Sequence, residues 1–157
     1  MIYLEELGEE DISEVYQIQK LTFENLYSKY KDAGSPFIES KPSLLEKIKR
    51  PNDHFYFIKN SEQIIGYVRI ATNGNQTKAK IGPIGIVPKS EEKGYGTKAM
   101  LLVEKKFPTV REWYLDTILQ ESKLIHLYTK LGYKETSQVE KVQEGMDIIF
   151  FIKKLDD

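Results

Sequence analysis

The sequence contains no cysteine and only two histidines, and both shortages narrow the chemistry that is open to it. Without thiols the chain cannot form disulfides, thiolate metal sites or a covalent cysteine intermediate. Two histidines alone give none of the ligand spacings that are typical of metal sites, so we expect no metal.

Long apolar runs and a strong net charge of either sign are also missing. No apolar segment approaches the roughly 20 residues that cross a bilayer. The first 11 residues are acidic and do not resemble a signal peptide, so we expect a cytoplasmic protein. The formal net charge of −1 predicts neither a nucleic-acid partner nor a membrane partner.

The length of 157 residues and the content of 40% hydrophobic and 30% charged residues are typical of one globular domain, residues 1–157. Apolar alternation predicts seven strands, at 2–7, 54–59, 63–71, a run that stops at Pro88, 112–119, 133–142 and 146–155. Helical spacing predicts four helices, from the acidic residues 9–11 to Tyr30, and at 42–50, 97–107 and 122–131. Hairpins alternate with crossover helices, which indicates an α/β fold of the α+β kind with a mixed central sheet.

The most informative segment is a buried strand that stops at a proline and leads through glycines into a helix. Residues 84–87 (IGIV) end at Pro88, and Gly94 and Gly96 lie in the turn before the helix. Glycines in such a turn let backbone N–H groups face outward at a helix N-terminus, where the helix dipole favours negative charge. The turn therefore predicts a phosphate-binding site, although the GxGxxG and GxxxxGK(S/T) patterns are both absent.

The same segment resembles the coenzyme A motif of the GCN5-related N-acetyltransferase (GNAT) family, V-x-P followed by a loop and (Q/R)-x-x-G-x-(G/A). Residues 115–118 (LDTI) and 127–133 (LYTKLGY) are similar to a second family motif, and the resemblance covers essentially the whole chain. It implies a mostly antiparallel sheet of about seven strands, with the fourth and fifth strands splayed apart and about four flanking helices. One departure is Glu91, which stands where the motif has Gln or Arg.

The resemblance also implies acetyl-coenzyme A as cosubstrate, bound in the opening between the two splayed strands. The turn would hold its pyrophosphate, and the strand before Pro88 would pair with its pantetheine arm, with the Ile84 N–H aimed at the thioester oxygen. Glu121 replaces an asparagine that often precedes the last helix in this family. The coenzyme-binding residues implied in this way are Ile84, Ile86, Val87, Lys93, Gly94, Tyr95, Gly96, Thr97, Lys98, Glu121 and Tyr128.

Two residues are candidates for acid–base catalysis. Tyr128 stands at the family's usual position for the acid that protonates the departing thiolate, although its apolar helix face also suits a core tyrosine. Asp116, twelve residues earlier, holds the place of the base in members that acetylate protein N-termini, whereas the glutamate base of histone-type members is here Lys80. A structural role for Asp116 is equally open, and the base would then be an ordered water or Glu39.

The first two helices and their connection recognise the acceptor in this family. The candidate acceptor-binding residues there are aromatic or acidic, namely Tyr27, Tyr30, Asp32, Phe37 and Glu39. Tyr27 and Tyr30 suit the core equally well. We expect direct acetyl transfer, without a metal, to a primary amine of a small molecule or peptide. The alternatives are a non-catalytic acyl-coenzyme A-binding module and an acetyltransferase of protein N-termini or lysines, and a homodimer is left open.

Overall fold

The computed structural model describes residues 1–155, and over that range seven strands form one mixed sheet with helices on both faces. The strands are β1 (Ile2–Glu6), β2 (Asp53–Asn60), β3 (Gln63–Thr72), β4 (Lys78–Ile86), β5 (Glu112–Ile118), β6 (Lys134–Gln143) and β7 (Met146–Lys154). The α-helices are α1 (Ile12–Tyr30), α2 (Lys41–Lys49), α3 (Tyr95–Lys106) and α4 (Ser122–Lys130). Single 3-10 turns lie at Glu9–Asp11, Pro36–Ile38 and Pro88–Ser90.

The strand order is β1-β2-β3-β4-β5-β7-β6, and every neighbouring pair is antiparallel except β4 and β5. These two parallel strands pair only between residues 78–80 and 112–114, and then part. A register irregularity of β4 against β3 falls beside Gly82 and Pro83, as expected where a bulge bends a strand. The predicted fold, with its splayed central strands, is confirmed.

Two apolar layers hold the sheet. The larger lies under α3 and α4, where Met100 and Val103 pack with Trp113, Leu115 and other buried side chains. The smaller lies on the other face, where α1 and α2 cover β2 and β3. We call the first the α3/α4 face and the second the α1/α2 face. None of the described helices has the length and apolarity needed to cross a bilayer.

The alternation of β5 decides which of its side chains reach each face. Trp113, Leu115 and Thr117 are buried on the α3/α4 face. Tyr114, Asp116 and Ile118 are half-exposed on the α1/α2 face, as the sequence pattern predicts. Because α1 and α2 pack on β2, β3 and β4, this face of β5 stays accessible.

One boundary differs in a way that matters for the site. Helix α3 begins at Tyr95, two residues before the predicted start at Thr97. Gly94 has φ of 78°, in the left-handed region that favours glycine, and it is the residue that caps the helix. The glycine turn and the helix N-terminus are therefore continuous.

Candidate active site

The edge of β4 beyond its pairing with β5 is a free backbone edge. The Val87 N–H donates to the Ile65 carbonyl oxygen of β3, at 2.8 Å. Since backbone directions alternate along a strand, the N–H groups of Ile84 and Ile86 point the other way, into the opening left by β5. Two of the predicted coenzyme residues, Ile84 and Ile86, thus lie on this strand and present free donors, and a third, Val87, directly follows it.

Helix α1 closes one side of this opening by packing unusually near to β4. A Cβ atom added at Gly85 would lie 2.7 Å from Thr22 Cβ, a distance that side chains do not tolerate. Glycine between Ile84 and Ile86 is therefore required for α1 to cross the strand at this distance.

The turn at the end of the opening presents unpartnered backbone donors. Within residues 1–155, no hydrogen bond uses the N–H groups of Tyr95, Gly96 or Thr97, while the Lys98 N–H donates to Gly94 at 3.2 Å. No side chain caps α3, and a Cβ at Gly94 would meet nothing within 4 Å. Free donors, open space and the positive end of a 12-residue helix are the features with which helix N-termini bind anions.

Charged side chains around the turn have mixed signs. Lys93 and Lys98 are exposed beside it, and so is Glu91. Glu92 is engaged elsewhere, because Lys123 Nζ lies 2.6 Å from its Oε1. The one acid left to oppose a bound phosphate in this segment is Glu91.

Asp116 lies just beyond the point at which β4 and β5 part. Its Oδ2 is 2.8 Å from Lys80 Nζ, and Lys80 is the last residue of β4 that pairs with β5. The exposed fractions of the two side chains are 29% for Asp116 and 55% for Lys80, so the pair faces solvent on the α1/α2 face. The two positions that a carboxylate base occupies in the family are here joined as an ion pair.

Tyr128 lies on α4 and is 7% exposed, within the apolar layer of the α3/α4 face. Its ring packs edge-on against Tyr133 and tilted against Phe151, with centroids 6.3 and 6.2 Å away. Burial, and then the negative charge of Asp116, raise the pKa of Tyr128 to about 12. The phenol is therefore protonated at neutral pH and able to donate, and its ionisation is coupled to the candidate base.

Glu121 is held by the end of α1. Its carboxylate accepts hydrogen bonds from Lys29 Nζ, at 2.8 Å, and from the Tyr30 hydroxyl. Burial would raise the pKa of Glu121, but the hydrogen bonds from Lys29 and Tyr30 outweigh it and lower the pKa. Gln143 Nε2 also donates to the Tyr30 carbonyl oxygen at 2.6 Å, which ties α1 to the β6–β7 hairpin.

The remaining candidate acceptor residues lie on α1 and the loop that follows it. Tyr27 stacks on Phe37, with ring centroids 5.0 Å apart, and Asp32 is half-exposed. Glu39 is bound by Gln19, Ser43 and Lys47 at 2.7–3.0 Å. Burial would raise the pKa of Glu39, but these hydrogen bonds outweigh it and lower the pKa.

A cavity of about 370 Å³ lies between α1, α2 and the sheet, on the α1/α2 face. Its wall includes Pro83, next to Ile84, and the side chain of Arg69. Arg69 donates to the Asp53 carboxylate through its Nε and Nη2 atoms at 3.1–3.3 Å. Arg69 and Gln19 were not among the residues predicted from the sequence. The signal for Arg69 was a charged residue inside the apolar run 63–71, and the signal for Gln19 was a glutamine on the buried face of α1.

The two histidines are not part of the opening. His126 is exposed on α4, and His54 lies on β2 with its Nε2 3.1 Å from Thr72 Oγ1. The described residues contain no group of three or more His, Asp or Glu side chains arranged to hold a metal ion.

Comparison of the sequence with protein-family profiles gives one family. Residues 12–133 match the profile described as the acetyltransferase (GNAT) family. Among the curated proteins, none matches the sequence.

Solved structures with the same fold cover nearly the whole chain. The PaiA N-acetyltransferase of Thermoplasma acidophilum, in complex with coenzyme A, has a TM-score of 0.78 at 22% identity, over 98% of this chain and 99% of that chain. The ribosomal-protein-S18-alanine N-acetyltransferase of Escherichia coli has a TM-score of 0.80 at 14% identity, over 100% and 96%. The spermidine N-acetyltransferase of Vibrio cholerae, in complex with coenzyme A and spermine, has a TM-score of 0.78 at 19% identity, over 98% and 95%. At these identities the likeness establishes the fold.

Proposed function

Because this chain belongs to the acetyltransferase (GNAT) family, we propose that it is an acetyl-coenzyme A-dependent N-acetyltransferase. It acetylates a primary amine by direct attack within a ternary complex. The observation that carries the proposal is two sets of free backbone donors, at the N-terminus of α3 and on β4, with Asp116 next to the point where β4 and β5 part. Two structures of the same fold contain coenzyme A.

The coenzyme-binding part of the proposal rests on backbone groups. The N–H groups of the Lys93–Lys98 turn hold the pyrophosphate, aided by the α3 dipole. The donors of Ile84 and Ile86 pair with the pantetheine arm as an added strand would. Glu121 stabilises this part of the site indirectly, since its carboxylate anchors α1 through Lys29 and Tyr30.

When the thioester of the coenzyme lies beside the free donors of β4, the acetyl group can be transferred to an amine. Bound acetyl-coenzyme A supplies an activated acetyl group: the amine nitrogen bonds to the carbonyl carbon, the carbon–sulfur bond breaks, and the thiol is released. The Ile84 N–H is the donor for the negative charge that develops on the carbonyl oxygen.

The reaction transfers two protons, one through Asp116 and one through Tyr128. Asp116 accepts one proton from the acceptor ammonium, directly or through a water, and passes it to solvent. Tyr128 donates its phenolic proton to the departing sulfur and regains one from the nitrogen. A pKa of about 12 keeps Tyr128 protonated for this step. The net products are the amide, the free thiol and one proton.

Initial-rate measurement of thiol release over a panel of amines, polyamines, amino acids and peptides tests the proposal. At least one acceptor should accelerate release well above hydrolysis, with intersecting double-reciprocal plots, because both substrates must be bound before transfer. Coenzyme binding by calorimetry with no accelerated release for any acceptor would instead identify a non-catalytic binding module.

A further inference from the structure

Four acidic side chains on the acceptor side of the opening are paired with cations. Lys80 neutralises Asp116 at 2.8 Å, and Lys29 neutralises Glu121 at the same distance. Two further pairs are Glu39 with Lys47 and Asp53 with Arg69. A site for a polyamine needs carboxylates in excess, and this face offers none among these four.

The Lys80–Asp116 pair is the one that an acceptor can open at little cost. It lies at the apex of the splay and is partly exposed, whereas Arg69 and Asp53 are mostly buried. Exposed ion pairs contribute only about 0–1 kcal/mol, and the lysine stem is flexible. A ligand that carries one positive and one negative group can replace this single ion pair with two ion pairs, one to Asp116 and one to Lys80.

The surface on one side of the pair is apolar, whereas Lys78, Glu112 and Lys154 place charges on the other side. On β5 and β7, the cross-strand neighbours on the same face as Asp116 are half-exposed, and no helix of the smaller apolar layer packs over them. They are Tyr114, Ile118, Ile148, Phe150 and Ile152. Phe150 is directly opposite Asp116. Apolar surface beside one charge pair favours a zwitterion with an apolar side chain.

We propose, building on the function proposed above, that the acceptor is an α-amino acid with an apolar side chain. Its ammonium binds Asp116, its carboxylate binds Lys80, and its side chain packs on Phe150 and the neighbouring isoleucines. Binding of the carboxylate draws Lys80 away from Asp116. The Asp116 carboxylate is then left to the ammonium, whose proton it accepts.

Three acceptors with one side chain isolate the role of the carboxylate: phenylalanine, phenylalaninamide and phenethylamine. The native enzyme should acetylate phenylalanine with kcat/KM about 10- to 100-fold above the other two, the range of one charged hydrogen bond. Glutamate and lysine should be poorer acceptors than phenylalanine and leucine, because they place a charge on the apolar surface.

Lys80→Met tests the residue itself, and Lys78→Met is its matched control on the same strand and face. Lys80→Met should lose the preference for phenylalanine over phenethylamine, with coenzyme binding by calorimetry unchanged. Lys78→Met should keep the preference, since Lys80 and not Lys78 is the lysine paired with Asp116.

Two outcomes overturn the inference and differ in what they leave standing. The zwitterion assignment fails if kcat/KM for phenethylamine equals that for phenylalanine, or if Lys80→Met lowers kcat/KM for all three acceptors by the same factor. The acetyltransferase assignment then stands. If no amine, with or without a carboxylate, accelerates thiol release, both fail.

Discussion

Lys80 Nζ lies 2.8 Å from Asp116 Oδ2, across the point where β4 and β5 part. The proposed base is therefore paired with a cation in the free protein.

Asp116→Asn should lower kcat/KM by about 100-fold and remove the acidic limb of the pH–rate profile, because the amide cannot accept the ammonium proton. Stability should fall by less than about 1 kcal/mol, since only a partly exposed ion pair is lost. Glu112→Gln is the control, an acid on the same strand and face. A reduced melting temperature with an unchanged pH profile would assign Asp116 a structural role.

Tyr128→Phe should lower kcat by about 100-fold with little loss of stability. No hydrogen bond within the described range involves its hydroxyl, so phenylalanine preserves the packing. Tyr133→Phe gives the opposite pattern: its hydroxyl donates to Glu104 at 2.8 Å, so that variant loses stability and keeps activity. Near-native turnover in Tyr128→Phe would make Tyr128 a core residue only.

Alkaline pH should destabilise the fold through Tyr128. Its pKa is raised by burial and by Asp116 to about 12, while an unfolded tyrosine titrates near pH 10. The folded state holds the proton more tightly, so this stabilisation is complete below pH 10 and is lost as the pH rises from about 10 to 12.

Urea unfolding of the native protein and Tyr128→Phe at pH 8 and pH 11 measures this contribution. Between the two pH values the native protein should lose about 1 kcal/mol more than the variant, which lacks the ionisable phenol. Equal losses in both proteins would contradict the raised pKa.

Gly96→Val should weaken coenzyme binding at least about 10-fold by calorimetry and leave the fold intact. A Cβ at Gly96 meets only Leu127, at an ordinary contact distance of 3.8 Å, so the side chain fits the free protein. It would cover the backbone donors assigned to the pyrophosphate. Gly74→Val, in a turn with nothing within 4 Å of the added Cβ, is the control. Unchanged affinity in Gly96→Val would remove the phosphate assignment.

The order of elements was predictable because local signals agree with the tertiary structure. Pro88 ends the strand before the glycine turn, and the alternation of residues 112–118 matches the two faces of β5. The start of α3 was misplaced by two residues, since nothing in the sequence shows that Gly94 adopts a left-handed conformation and caps the helix.

The partners of the site residues were not predictable. Lys80 meets Asp116 only because of the parallel register of β4 and β5, and Glu121 meets Lys29 only because α1 ends beside α4. Sequence reasoning treated Lys80 as a position where a base had been lost. In the structure that lysine pairs with Asp116.

Acetyl transfer from coenzyme A to an amine is tested most directly by quantifying both products of one reaction. With acetyl-coenzyme A and the acceptor panel, free thiol is titrated while the acetylated acceptor is measured by mass spectrometry. We predict one acetylated amine for each thiol released, at a rate that Tyr128→Phe reduces about 100-fold. Thiol released no faster than without protein, with no acetylated acceptor although the coenzyme binds, would contradict the assignment.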